Sequence, residues 1–115
     1  MPVRIKRVYD EPAQEDGTRI LVDRLWPRGV SKEAAALDQW MKCIAPSDDL
    51  REWFDHDPTK WAEFIRRYRE EVVEKEESVE KLRTWAADGT LTLVYAATNE
   101  RHNNARVLKE IVQSD

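Results

Sequence analysis

Glycine is scarce in this sequence. Only Gly17, Gly29 and Gly89 occur, and none lie close together. Phosphate-cradling loops of the P-loop and dinucleotide-binding types need clustered glycines, so neither is present. The G-x-S-x-G elbow of serine hydrolases is missing as well. A single cysteine, Cys43, excludes an intramolecular disulfide and any zinc site built from several thiolates of one chain. It lies in an apolar stretch and reads as a buried, inert thiol. His56 and His102 are the only histidines, and their spacing matches no ligand pair, so neither a metal nor a cofactor is expected. No apolar run approaches the length that crosses a bilayer, and no secretory leader is evident. The expectation is a soluble cytoplasmic protein with no membrane partner. Surplus positive charge is also lacking. Nineteen Lys and Arg against 23 Asp and Glu leave a net charge of -4. That argues against nucleic acid as a partner, because such affinity rests on neutralising phosphates.

What remains is ample for folding. Hydrophobic residues make up 41% of the chain and charged ones 37%. A length of 115 residues suits one domain, 1–115, with one core. Residues 66–83 hold six basic and six acidic side chains, which reads as a solvated helical face laced with i,i+4 pairs.

The most informative stretch runs from Gly89 to Val112. Residues 90–97 are apolar and β-branched without charge, as in a strand covered on both faces of a parallel sheet. A polar turn follows, and then Val107, Leu108, Ile111 and Val112 recur at helical spacing. Thr98 or Asn99 is placed to cap that helix. Residues 3–9 and 19–25 predict two more strands. Between them, Asp16-Gly17 is a hairpin signal, and the connection is short for a parallel return, so their relative direction stays open.

Ser31 predicts the cap of a short helix from Lys32, and residues 37–44 show helical spacing up to Pro46. Ser47 predicts the start of another helix. Asp57-Pro58 opens a long one, with Trp61, Phe64, Ile65, Tyr68 and Val72 on its inner face. A further helix spans 78–87, with Gly89 placed to end it. The fold class is therefore α/β, a small and mainly parallel sheet flanked by helices.

In such sheets, ligands bind beyond the carboxyl ends of the strands. Two polar sets fall there if the second and last strands are neighbours. One is Asp23, Arg24, Trp26 and Arg28; the other is Asn99, His102, Asn103 and Asn104. Arginine forks fit phosphate and carboxylate, and the amides of 99–103 begin a helix whose free N–H groups favour anions. Asp23 and His102 are the candidate acid/base groups. Tyr95 ends its strand and either donates to a ligand or fills core. Asn104 starts the inward stripe, which implies a hydrogen bond to a neighbouring strand or to a ligand.

The runs VDRLWPRG at 22–29, IAPS at 44–47, WFDHDP at 53–58, LVYAA at 93–97 and HNNA at 102–105 resemble the DUF488 family, in its short, YeaO-like, uncharacterised branch. The likeness spans nearly the whole chain. It implies the fold and no particular reaction. Longer members carry Asp and Arg where Asp23 and Arg24 stand, and a segment of the type HCHR where His102 to Ala105 stands. The resemblance carries over Asp23, Arg24 and His102. Asn103 takes the thiol position, so thiol chemistry does not carry over.

Two readings follow. The first is a site for a small anionic molecule, a phosphate ester or nucleotide, with Asp23 or His102 as acid/base if there is catalysis. The second is a non-enzymatic module that docks a protein partner through Trp26 and the long charged helix.

Overall fold

The computed structural model describes residues 2–114. Its sheet has four strands: β1 (Val3–Arg7), β2 (Thr18–Leu21), β3 (Gln39–Trp40) and β4 (Leu91–Tyr95). Their order is β1-β4-β2-β3, and every pairing is parallel. The last strand in sequence thus lies inside the sheet, which explains its uninterrupted apolar run: all five of its residues are buried. Val3 stands opposite Leu91 on one side, and Thr18 opposite Leu91 on the other.

The direction of the first two strands is settled by β4. They do not pair with each other, and both run parallel to it. Ten extended residues would reach about 33 Å, while a five-residue strand spans about 17 Å, so residues 8–17 have length to spare and return with only a 3-10 turn, Gln14–Asp16. Asp16-Gly17 therefore ends a crossover, not a hairpin. Gly17 has φ +63°, and a Cβ there would lie 2.3 Å from the Thr90 carbonyl oxygen. No other residue type fits that approach.

Four helices cover one face: α2 (Asp48–Phe54), α3 (Trp61–Val73), α4 (Glu76–Asp88) and α5 (Asn104–Gln113). Leu91, Leu93 and Tyr95 meet Phe64, Tyr68, Leu82 and Leu108 in the main core. The opposite face is smaller. Leu21 and Val94 pack there with Val8 and with Ala35 of α1 (Lys32–Ala35), and Trp26 and Trp40 lie over them. Ser31, Ser47 and Asp57 cap as their residue types suggest, each accepting a backbone N–H through its side chain.

Three local expectations are corrected. Residues 37–44 form no helix but β3 followed by a 3-10 turn, Lys42–Ile44. Asp38 and Met41 N–H donate to the Arg19 and Leu21 carbonyls, both at 2.8 Å, so pairing with β2 outweighs a marginal short helix. The apolar residues then divide between faces, Leu37 and Trp40 to the smaller core, Met41 and Ile44 to the main one. Gly89 does end α4, as expected, though through extended backbone at φ 165° and not a left-handed turn. The cap of α5 is Asn103, four or five residues later than Thr98 or Asn99, and Cys43 is exposed.

The smaller face also holds a buried ion cluster. The Asp16 carboxylate accepts from Arg19 Nη1 at 2.6 Å, Lys6 Nζ at 3.1 Å and the Ala13 N–H at 3.0 Å. Arg19 donates onward to the Ala35 and Ala36 carbonyls at the end of α1. Burial works to raise the Asp16 carboxyl, but these donors outweigh it and hold it below the ordinary carboxylate value. Such a group stabilises the fold above its unfolded pKa, and the contribution is lost as pH falls through the folded value. We expect Asp16→Ala to cost about 3–5 kcal/mol in urea denaturation at pH 7, because it leaves Arg19 buried and unpaired. The deficit should shrink in strong acid; a loss under ~1 kcal/mol at pH 7 would remove the cluster from the account.

Candidate functional site

Beyond β2 and β4 the chain leaves the sheet on the same edge. A cleft of about 510 Å³ opens there. Its walls come from the segment after β2, the segment after β4, and the end of α2.

The floor is built around Asp23. Its Oδ2 accepts the Ala96 N–H at 2.9 Å, so the residue after β2 binds the residue after β4. Asn104, the first residue of α5, donates through Nδ2 to the Val22 carbonyl at 2.8 Å. The expected buried amide contact is thus made to a strand end. Burial pushes the Asp23 carboxyl above its ordinary value, against the lowering effects of the Ala96 N–H, the Asn104 amide and the Arg51 charge. Phe54 and Phe64 line the same floor, their ring centroids 4.4 Å apart.

Cations surround this floor. Arg24 donates to the Pro46 carbonyl at 3.2 Å and lies 3.7 Å from Asp48 at the start of α2. Arg51, one turn along α2, donates to the same Asp48 at 3.2 Å. Arg28 is exposed, and its carbonyl accepts from Tyr9 Oη at 3.2 Å. His56 and His102 complete the ring of basic side chains. The His102 ring lies 5.0 Å from Trp61, with Nδ1 3.3 Å from Asn99 Nδ2.

The structure therefore brings Asp23, Arg24, Arg28, His102, Asn103 and Asn104 to one cleft. Asn103 is buried and engaged: its Oδ1 accepts the Arg106 N–H at 2.9 Å and its Nδ2 donates to the Asn99 carbonyl at 3.1 Å. Asn99 stands behind the wall, where its Oδ1 accepts the Arg101 and His102 N–H groups. Tyr95 points into the main core, and burial pushes its phenol up.

Sequence reasoning did not name Arg51 or His56 among the candidate residues, yet both line the cleft. Nothing in α2 marks its outer face as a cleft wall. The backbone does mark His56: Asp55 and His56 both have positive φ, at 44° and 54°. Asp55 closes α2 as its left-handed C-cap, and the turn it starts carries His56 to the cleft. A second groove, about 680 Å³, lies beside β3 and is lined by Glu76, Glu77, Glu80 and Trp85. Its three glutamates face one lysine, Lys81, and it touches no carboxyl end of the sheet.

A carboxyl whose folded pKa is raised destabilises the fold increasingly as pH rises through its unfolded value. We therefore expect Asp23→Asn to raise the melting temperature at pH 7, with the gain vanishing near pH 3. A melting temperature lowered by several degrees at pH 7 would instead make the Asp23 charge part of the scaffold.

Residues 2–115 match the model of a family described as the inactive DUF488-N3 subclade. The uncharacterised protein YeaO of Escherichia coli is 44% identical over 114 residues, covering 99% of both chains. The uncharacterised protein Rv3073c of Mycobacterium tuberculosis is 38% identical over 110 residues, 96% of this chain and 92% of that one. The uncharacterised protein Mb3100c of Mycobacterium bovis has the same identity and coverage. No solved structure matches. Among the described residues, no helix is long and apolar enough to cross a membrane. With the match spanning the strand ends that build the cleft, the chain belongs to the DUF488 family, within its inactive N3 subclade.

Proposed function

We propose that the chain binds a small anionic molecule, a phosphate ester or nucleotide, in the cleft at the carboxyl edge of its sheet. The observation that carries this is the charge of the lining. Arg24, Arg28 and Arg51 face a cleft whose lining includes one carboxylate, Asp23, in a chain of net charge -4, and His56 and His102 stand beside them. Concentrating cations in a concave site against the overall charge favours anions locally. Arg28 strengthens the reading because it is exposed and its own side chain makes none of the hydrogen bonds or ion pairs of the described residues, only its carbonyl accepting from Tyr9.

The reading is of binding without turnover. Asp23 is held by the Ala96 N–H, and Asn103 is occupied as a helix cap. The matched family's description as inactive agrees with this. A protein-docking role draws less support. The Trp26 indole N–H donates to the Val30 carbonyl at 2.7 Å, and its ring packs on Trp40. On α3, Arg66 and Arg67 pair with Glu63 and Glu70.

The test is a thermal-shift series with inorganic phosphate and mononucleotides on the parent protein and on Arg28→Ala/Arg51→Ala. Millimolar ligand should raise the parent's melting temperature by a few degrees and the variant's by much less. Equal shifts in both proteins, or none in either, would overturn the proposal.

A further inference from the structure

The arginines account for an anion but leave the apolar part of the cleft unexplained. Among the described residues, the exposed large hydrophobic side chains are Tyr9 at 48%, Leu25 at 58% and Val73 at 76%. Tyr9 and Leu25 both line the cleft, although they come from different connections. Scattered apolar residues on a surface need no explanation, but two that converge on one concave site do. Tyr9 is also held in place. Its hydroxyl donates to the Arg28 carbonyl at 3.2 Å, and the Arg7 guanidinium lies 5.1 Å from its ring centroid. Arg7 is fixed in turn, its Nε donating to the Ala97 carbonyl at 2.9 Å. Trp26, next to Leu25 in the chain, is half-buried and lines the cleft as well.

An apolar wall beside a set of cations selects a molecule with both characters. Size points the same way. A cleft of about 510 Å³ far exceeds what a phosphate ion fills, and it falls within the roughly 300–1,000 Å³ of small-molecule sites. At the floor, the Asp23 carboxylate offers an acceptor to ligand N–H or O–H groups.

We infer that the ligand is a phosphate carrying a planar aromatic ring, of mononucleotide size. Its ring rests against Tyr9, Leu25 and Trp26, and its phosphate lies among Arg24, Arg28 and Arg51. This rests on the anion-binding reading above and adds the ligand's class. A sugar phosphate would leave the apolar wall uncovered, and a nucleoside would leave the arginines unused.

Calorimetric titration of the full chain separates these parts. The probes are the adenosine, guanosine and uridine monophosphates, ribose 5-phosphate and inorganic phosphate. The best mononucleotide should bind about tenfold more tightly than ribose 5-phosphate. Leu25→Ser, which alters an exposed side chain with no hydrogen bond to the arginines, should reduce that ratio toward one. Equal binding of ribose 5-phosphate and every mononucleotide, still sensitive to Arg28→Ala, would overturn the ring assignment and leave the anion site standing. Binding of no probe would overturn both.

Discussion

The hydrogen bond from the Ala96 N–H to the Asp23 carboxylate is the contact on which the cleft depends. β2 and β4 pair as far as Leu21 and Val94, and the Val22 N–H extends the ladder to the Val94 carbonyl. Beyond that point a plain ladder would continue or splay. Instead a side chain takes over from the backbone, and Asn104 ties α5 to the Val22 carbonyl. Three elements are thereby fixed at one point. The cost is a carboxylate placed where burial disfavours its charge. A fold that needed only a strand end to be closed could have used a neutral side chain. The charge kept there lies on the floor of the cleft, where the Arg51 charge favours it.

The acidic surplus falls mainly on residues 10–17 and on α2 with the turn after it, while on α3 and α4 glutamates pair with arginines in solvent. Those exposed pairs add little stability each. The smaller face buries one ion cluster, Asp16 with Lys6 and Arg19, which pins the crossover from β1 to β2. The carboxyl edge is left with arginines that pair loosely or with backbone carbonyls. The cleft lining itself holds three arginines, Arg24, Arg28 and Arg51, and one carboxylate, Asp23.

Much of this was legible from the residues. The run at 90–97 identified a doubly covered strand because a central parallel strand has no polar face to show. The caps at Ser31, Ser47 and Asp57 were readable because side-chain oxygens there have one local use. Asp23, Arg24 and Arg28 followed from the end of an apolar run. What failed was whatever depended on a distant partner. Residues 37–44 carry helical spacing, yet the free edge of β2 drew them into a strand. Asn99 and Asn103 are chemically alike, and only the path of the turn decides which one caps α5. Arg51 and His56 belong to a helix and turn whose placement over the sheet edge is a tertiary fact. His56 alone carried a trace in the sequence, through the WFDHDP run that resembles the family.

The measurement closest to the central claim is a titration of the isotope-labelled protein with inorganic phosphate, followed by amide and arginine Nε chemical shifts. The account predicts saturable changes confined to residues 23–28, 51–56 and 96–104, with the Arg28 side chain among the largest. Shifts gathered along the acidic groove of Glu76, Glu77, Glu80 and Trp85, or changes that never saturate, would contradict it.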